Sequence, residues 1–245
     1  MSVRELSGTT AVVTGASRGF GRATAVALAA HGAHVIGIAR SAAPVKELEE
    51  ELDGSFTAVV ADATDPALPA WLFSRYQPQT VVLNAGATPV MGPLQEQTWQ
   101  NVSRNWDVDV QHVFNFLREA LITPLGVGGA VVSLSSGAAQ RGSPSSGGYA
   151  GAKATIKFLS SYAGSESERS SLGLRFVSVL PQLTPATGLG RTAVGAYAER
   201  AGLTVEAFLE QFGPTLSLDD VAKAIVDIAL TEMGARGFKR GEMCS

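Results

Sequence analysis

Thr10-Ala11-Val12-Val13-Thr14-Gly15-Ala16-Ser17-Arg18-Gly19-Phe20-Gly21, running on through Arg22 to His31, is the stretch that decides the fold. A short apolar run ends in a glycine-rich turn, and a helical pattern follows at once. Ala23, Val26, Ala27 and Ala30 stand at i, i+3, i+4 and i+7, which predicts one buried helical face. Glycines at such a turn let backbone amides come close to an anion, and the helix N-terminus adds free N–H groups. Strand, glycine turn and helix in this order open a dinucleotide-binding unit. Gly15, Ser17, Arg18, Gly19, Phe20 and Gly21 are therefore candidate cofactor-binding residues.

Outward from this unit the same alternation repeats. Apolar runs predict strands at Thr10–Thr14, His34–Ala39, Phe56–Ala61, Thr80–Asn84, Ala130–Leu134 and Leu174–Leu180. Their near-continuous hydrophobicity belongs to strands covered on both faces, as in a parallel sheet. Helices are predicted at Gly21–His31, Pro44–Leu52, Pro66–Tyr76, Thr98–Ile122 and Tyr149–Arg169. The fold class implied is α/β, a doubly wound parallel sheet of Rossmann type with right-handed crossovers. No linker divides it, so the whole chain reads as one domain. Gln182–Pro214 breaks the rhythm, with a short helical pattern from Thr204. A segment of that length suits a helical substrate cap.

Composition narrows the function classes. With 45% hydrophobic residues the chain can bury a sizeable core, and 19 basic against 22 acidic residues form no basic stripe for nucleic acid. Before Gly15 the only apolar stretch is Ala11-Val12-Val13, far short of the roughly 7–15 residues of a secretory core. No window approaches the ~18 apolar residues of a membrane span. Cys244 is the only cysteine, so no intrachain disulfide can form. The chain is expected to be cytoplasmic, without nucleic-acid or membrane partners.

Two further clusters carry chemistry. A carboxylate at the end of the second strand would take the ribose hydroxyls of NAD. Here that strand ends Ile38-Ala39-Arg40-Ser41, and Arg40 with Arg18 suits the 2′-phosphate of NADP(H) instead. After the fifth strand come Ser135-Ser136, then Tyr149-Ala150-Gly151-Ala152-Lys153. Tyr149 and Lys153 are four apart and share a helix face. A nearby ammonium and an oxidised nicotinamide both favour a phenolate, which general acid–base work needs. Ser136, at the strand end, is placed to polarise a substrate carbonyl.

At this point the sequence resembles the short-chain dehydrogenase/reductase family over nearly its whole length. Thr14–Gly21 matches the family's Thr-Gly-x-x-x-Gly-x-Gly loop, and Ser136, Tyr149 and Lys153 match its catalytic set. The resemblance further implies that Asp62 and Ala63 contact adenine, that Asn84, Ala85 and Gly86 form the turn after the fourth strand, and that Pro181 follows the sixth. It implies that Tyr149 gives a proton to a carbonyl oxygen held by Ser136 as hydride arrives. Lys153 binds ribose hydroxyls and helps the tyrosine ionise. A dimer or tetramer is implied too. Three departures stand out. The family's catalytic asparagine falls on Asp109, which predicts an altered water relay or a raised Lys153 pKa. The usual Pro-Gly is Pro181-Gln182 and the expected threonine falls on Ala186, leaving Thr184 or Thr187 to serve. The residues Gly241-Glu242-Met243-Cys244-Ser245 lie short of the family's glycine-rich tail, implying an abbreviated last strand.

His31, His34 and His112 show no paired metal-ligand spacing and are read as structural or surface residues, so no metal is expected. Trp71, Trp99 and Trp106 are read as core or interface residues, and Val102, Trp106, Val110 and Val113 as a packing stripe. Phe208, Leu209 and Phe212 either line an apolar substrate pocket or pin the cap to the body. The leading expectation is an NADP(H)-dependent oxidoreductase acting on a neutral or mainly apolar small-molecule carbonyl or secondary alcohol. The alternative is an NADP-binding sensor or scaffold with little turnover. A redox-neutral relative would have lost the glycine loop and replaced Lys153 with arginine; neither change is present.

Overall fold

Alternate residues of the central strands feed two separate cores, as the two-residue period of a strand requires. On one face Ala11, Val13, Val35, Val82 and Val132 pack together with helical residues such as Leu28, Leu48 and Ile225. On the other, Val12, Ile36, Val81 and Val131 meet Leu72, Phe116 and Ile156. A computed structural model describes residues 6–126 and 128–231. Cys244 and the expectation of an abbreviated last strand lie outside the described residues.

Six parallel strands are ordered β3-β2-β1-β4-β5-β6. They are β1 (Thr10–Thr14), β2 (His34–Ala39), β3 (Phe56–Val60), β4 (Thr80–Leu83), β5 (Ala130–Leu134) and β6 (Arg175–Val179). Helices α1 (Gly19–Ala30), α2 (Ala42–Glu51) and α3 (Leu68–Tyr76) follow the first three strands. Beyond β4 come α4 (Trp99–Asn105), a π-helical turn at Trp106–Val110 and α5 (Gln111–Ile122). Next are the short α6 (Ala138–Arg141) and the long α7 (Gly147–Arg169). After β6 run α8 (Gly188–Ala201), α9 (Val205–Phe212) and α10 (Leu218–Leu230). The strand order reverses between β1 and β4, and the crevice beyond their C-terminal ends is where open α/β sheets bind ligands.

Several expectations are corrected. The helix predicted over Thr98–Ile122 is two α-helices joined by the π-helical turn, and such turns cluster at functional sites. In α1 the most buried line is Gly21, Thr24, Ala25 and Leu28, with Ala30 exposed. This helix packs against α10 as well as the sheet, so its apolar surface is broader than the single stripe that was read. Of the core and interface alternatives for the tryptophans, exposure of Trp99 and Trp71 removes the core one. Helix α10, which the strand–helix reading does not anticipate, starts at a reciprocal cap between Ser217 and Asp220. Among the described residues no helix is long and apolar enough to cross a membrane.

Candidate active site

The crevice at the β1/β4 reversal is a cavity of about 1040 Å³. Its first wall is the turn after β1. Gly15 has φ +68°, a left-handed conformation that favours glycine. The Asn84 side chain donates to the Thr14 carbonyl at 3.0 Å and to the Gly15 carbonyl at 3.2 Å. The Thr14 hydroxyl accepts from the backbone N–H groups of Asn84 (3.0 Å) and Ala85 (3.1 Å). A Cβ on Gly21 would overlap both the Gly15 carbonyl oxygen and the Asn84 amide, so α1 enters at its closest possible approach. No side chain caps the start of α1 and no acidic residue occupies its first turn. Its leading N–H groups remain available to an anion.

Around this turn the cavity is lined by Ser17, Arg18, Gly19, Phe20, Arg40, Asp62, Ala63, Asn84, Ala85 and Gly86. Arg18 and Arg40 are exposed. The Thr64 backbone N–H, with help from the Thr64 hydroxyl and the Arg40 charge, holds the Asp62 carboxyl below its usual range. Thr64 donates to one Asp62 oxygen from both groups, each at 2.9 Å, leaving the second oxygen for a ligand.

The far wall is β5 and α7, stitched in both directions. The Ser135 hydroxyl donates to the Lys153 carbonyl at 2.7 Å, and Lys153 Nζ donates to the Leu134 carbonyl at 3.0 Å. These bonds fix Ser136 against the first turns of α7, and Ser136, Tyr149 and Lys153 all line the cavity. The Ser136 oxygen already accepts from the Ala138 N–H at 3.2 Å, so its own proton is free to donate outward. Lys153 Nζ lies 5.5 Å from the centre of the Tyr149 ring.

Asp109 completes this wall from the π-helical turn. It is 1% exposed, with one carboxyl oxygen 3.2 Å from Lys153 Nζ. The other accepts from the Ala87 N–H at 2.7 Å and the Asn105 amide at 3.4 Å. Gly86 admits the carboxylate, because a Cβ there would come within 2.8 Å of it. Burial opposes the charged form of Lys153, but Asp109 and then Tyr149 outweigh it and raise the ammonium above its ordinary value. Of the three N–H groups of the ammonium, one donates to the Leu134 carbonyl, and the charge is paired with Asp109.

All the residues expected at the site line this one cavity except Gly21, which backs Gly15 instead. Thr184 is buried, and its hydroxyl donates to the Leu216 carbonyl at 2.6 Å while accepting from the Ala186 N–H at 3.2 Å. Its side chain anchors the segment and offers no free donor. Thr187 accepts from Gly190 N–H at 2.9 Å and keeps its own O–H. Pro181 and Gln182 also face the cavity. Of the three histidines read as structural or surface residues, His112 is fully buried and lines the cavity. Burial, and then the Lys153 ammonium, pushes its imidazole down to about 3. Its spacing of three from Asp109 on one helix was the available signal.

A family model described as short chain dehydrogenase matches residues 9–196. L-xylulose reductase of Mesocricetus auratus is 32% identical over 161 residues, 63% of this chain and 64% of that protein. D-erythrulose reductase of Gallus gallus is 34% identical over 160 residues, 62% of this chain and 63% of that protein. The match thus spans less than two thirds of either relative's length. The crystal structure of 3-ketoacyl-(acyl-carrier-protein) reductase from Brucella melitensis, complexed with NADH, superposes with a TM-score of 0.74 at 23% identity and covers 89% of each chain. That likeness concerns the fold.

Proposed function

Because this chain belongs to the short-chain dehydrogenase/reductase family, we propose that it is an NADP(H)-dependent oxidoreductase that interconverts a carbonyl compound and its secondary alcohol, with reduction favoured. The observation that carries the reading is one cavity bounded by an uncapped helix start behind a glycine turn and by Ser136, Tyr149 and Lys153. Gly15, Ser17, Gly19 and Phe20 with the first N–H groups of α1 suit a pyrophosphate, Asp62 and Ala63 an adenine, and Arg18 and Arg40 a 2′-phosphate. The Brucella protein was solved with NADH, but in this chain an arginine stands where a ribose-binding carboxylate would, and that favours NADPH. When bound, the dinucleotide supplies or accepts the hydride.

The protein's own groups handle the oxygen and the proton. Ser136 donates its free O–H to the carbonyl oxygen. Tyr149 passes its phenolic proton to the same oxygen in reduction and withdraws it in oxidation. Lys153 places a positive charge beside the phenol and presents a further N–H to the cavity. The 182–214 segment acts as the substrate cap. The exposed Phe114 and Ile122 of α5 and Phe158 and Tyr162 of α7 lie on two packed helices and suit a contact with a second copy, hence a homodimer or homotetramer.

Tyr149→Phe is expected to cut NADPH-dependent carbonyl reduction by about 10²–10⁴-fold while leaving NADPH binding intact. Parent-like turnover in that variant, or a preference for NADH, would overturn the assignment. The Asp109–Lys153 ion pair favours a second reading, a dinucleotide sensor, because it commits the ammonium to a carboxylate. Tight NADPH binding without turnover on any carbonyl, with turnover gained in Asp109→Asn, would select it. In an active enzyme the same substitution frees the Lys153 charge to act on Tyr149 undiminished. The rate of alcohol oxidation in that variant, compared with the parent across pH, measures how far the carboxylate restrains the ammonium.

A further inference from the structure

Helix α9 has the sequence Val205-Glu206-Ala207-Phe208-Leu209-Glu210-Gln211-Phe212, yet none of its residues is buried. Phe212 is 40% exposed. Its ring stacks on Phe208 at 6.1 Å between centroids and 23° between planes, and Phe208 lies 6.4 Å from the Tyr197 ring of α8. Tyr197, Phe208 and Phe212 line the same cavity as Ser136 and Tyr149, whereas Leu209 does not.

A chain of hydroxyls ties this strip to the reacting end. The Tyr197 hydroxyl is hydrogen-bonded to Ser143 Oγ. Ser143 Oγ is 2.6 Å from Ser146 Oγ, and Ser146 is the residue that starts α7, one turn ahead of Tyr149. The aromatic strip is thus tied, through Tyr197, to the loop that leads into α7 and Tyr149. Two phenylalanine rings left uncovered inside a concave site want a flat apolar partner, which offset stacking rewards beyond area alone. A polyhydroxylated chain fits poorly here. Its hydroxyls would face ring carbons, and the strip's one polar group, the Tyr197 hydroxyl, is already bonded to Ser143.

We propose that the cap selects carbonyl substrates bearing a flat aromatic body, which stacks on Phe208 and Phe212 while the carbonyl reaches Ser136 and Tyr149. This rests on the reductase reading above. The test compares three probes: 4-phenyl-2-butanone, its saturated counterpart 4-cyclohexyl-2-butanone, and L-erythrulose. NADPH consumption gives kcat/KM, and saturation-transfer NMR reports binding without turnover. The phenyl ketone is expected to exceed the other two by roughly 10-fold. Phe208→Leu combined with Phe212→Leu keeps apolar volume but removes the rings, and is expected to erase that preference chiefly through KM. Equal use of the phenyl and cyclohexyl ketones, or a preference for L-erythrulose, overturns the substrate class and leaves the reductase reading standing. Phenyl-ketone binding that the leucine variant loses, without turnover in either protein, upholds the aromatic wall and sinks the reductase reading. A leucine variant that changes oligomeric state and keeps the phenyl preference assigns the rings to a subunit contact and overturns the proposal.

Discussion

The two halves of the cavity differ in how far they are fastened down. On the dinucleotide side two side chains, Thr14 and Asn84, tie adjoining turns together through hydrogen bonds of 3.0–3.2 Å to the backbone of Thr14, Gly15, Asn84 and Ala85, and Gly21 leaves no room for a methyl group. On the cap side, α8 is seated closely through Gly190, Ala193, Val194 and Ala198, but α9 buries nothing, and side-chain bonds such as Thr184 to Leu216 and Ser143 to Tyr197 help hold the segment. A half that meets an unchanging ligand can be rigid. If the cap meets the substrate, as proposed above, it gains from exposed side chains that can change without disturbing the sheet.

Acid should separate the halves most strongly, through the floor of the rigid one. The unfolded chain protonates His112 near 6.5, but the folded protein does so only at about 3. Stability from this group is full above pH 6.5 and falls progressively as pH drops to about 3. The whole window amounts to about 5 kcal/mol. Urea midpoints at pH 7 and pH 4.5 measure it, and His112→Leu should flatten the difference. Equal acid loss in parent and variant would mean that the imidazole is not held neutral.

A smaller effect comes from forcing the rigid half apart. Gly21→Ala should cost about 1–3 kcal/mol by overpacking and weaken NADPH binding at least about 10-fold, because the Gly15 turn must move. A variant with parent-like melting and dinucleotide affinity would show that this turn yields as readily as the cap. The smallest effect belongs to the cap. Thr204 caps α9 by accepting from the Ala207 N–H at 3.2 Å, and Thr204→Ala should cost about 1 kcal/mol or less. Hydrogen exchange should quicken in α9 alone. Loss of dinucleotide affinity in this variant would join the two halves into one mechanical unit.

The same contrast governs what could be read in advance. The bounds of β1, β2 and β5 were legible residue by residue, because strands buried on both faces must be apolar throughout. Ser136, Tyr149 and Lys153 were legible because strand-end and i, i+4 placement fix them locally. The π-helical turn was not. It lies where Asp109 meets Ala87 and Lys153, contacts that come from the loop after β4 and from α7. Helix α8 was hidden by three glycines of low helix propensity. Its close fit to the Thr184 carbonyl, where a Cβ on Gly190 would overlap, supplies what propensity lacks. For α10 the signal was present in Ser217 and Asp220, a capping pair ahead of an amphipathic run.

The Asp109–Lys153 pair has a consequence beyond proton chemistry. Two opposite charges, buried 3.2 Å apart in the cavity wall, are shielded from dissolved ions. Arg18 and Arg40 stand in solvent at the opposite end, where a Debye length of about 10 Å at 0.1 M salt already screens them. Ionic strength therefore acts on Arg18 and Arg40 far more than on the buried pair. In the reading proposed above, salt loosens the grip on the dinucleotide and leaves the Lys153–Asp109 pair as it is.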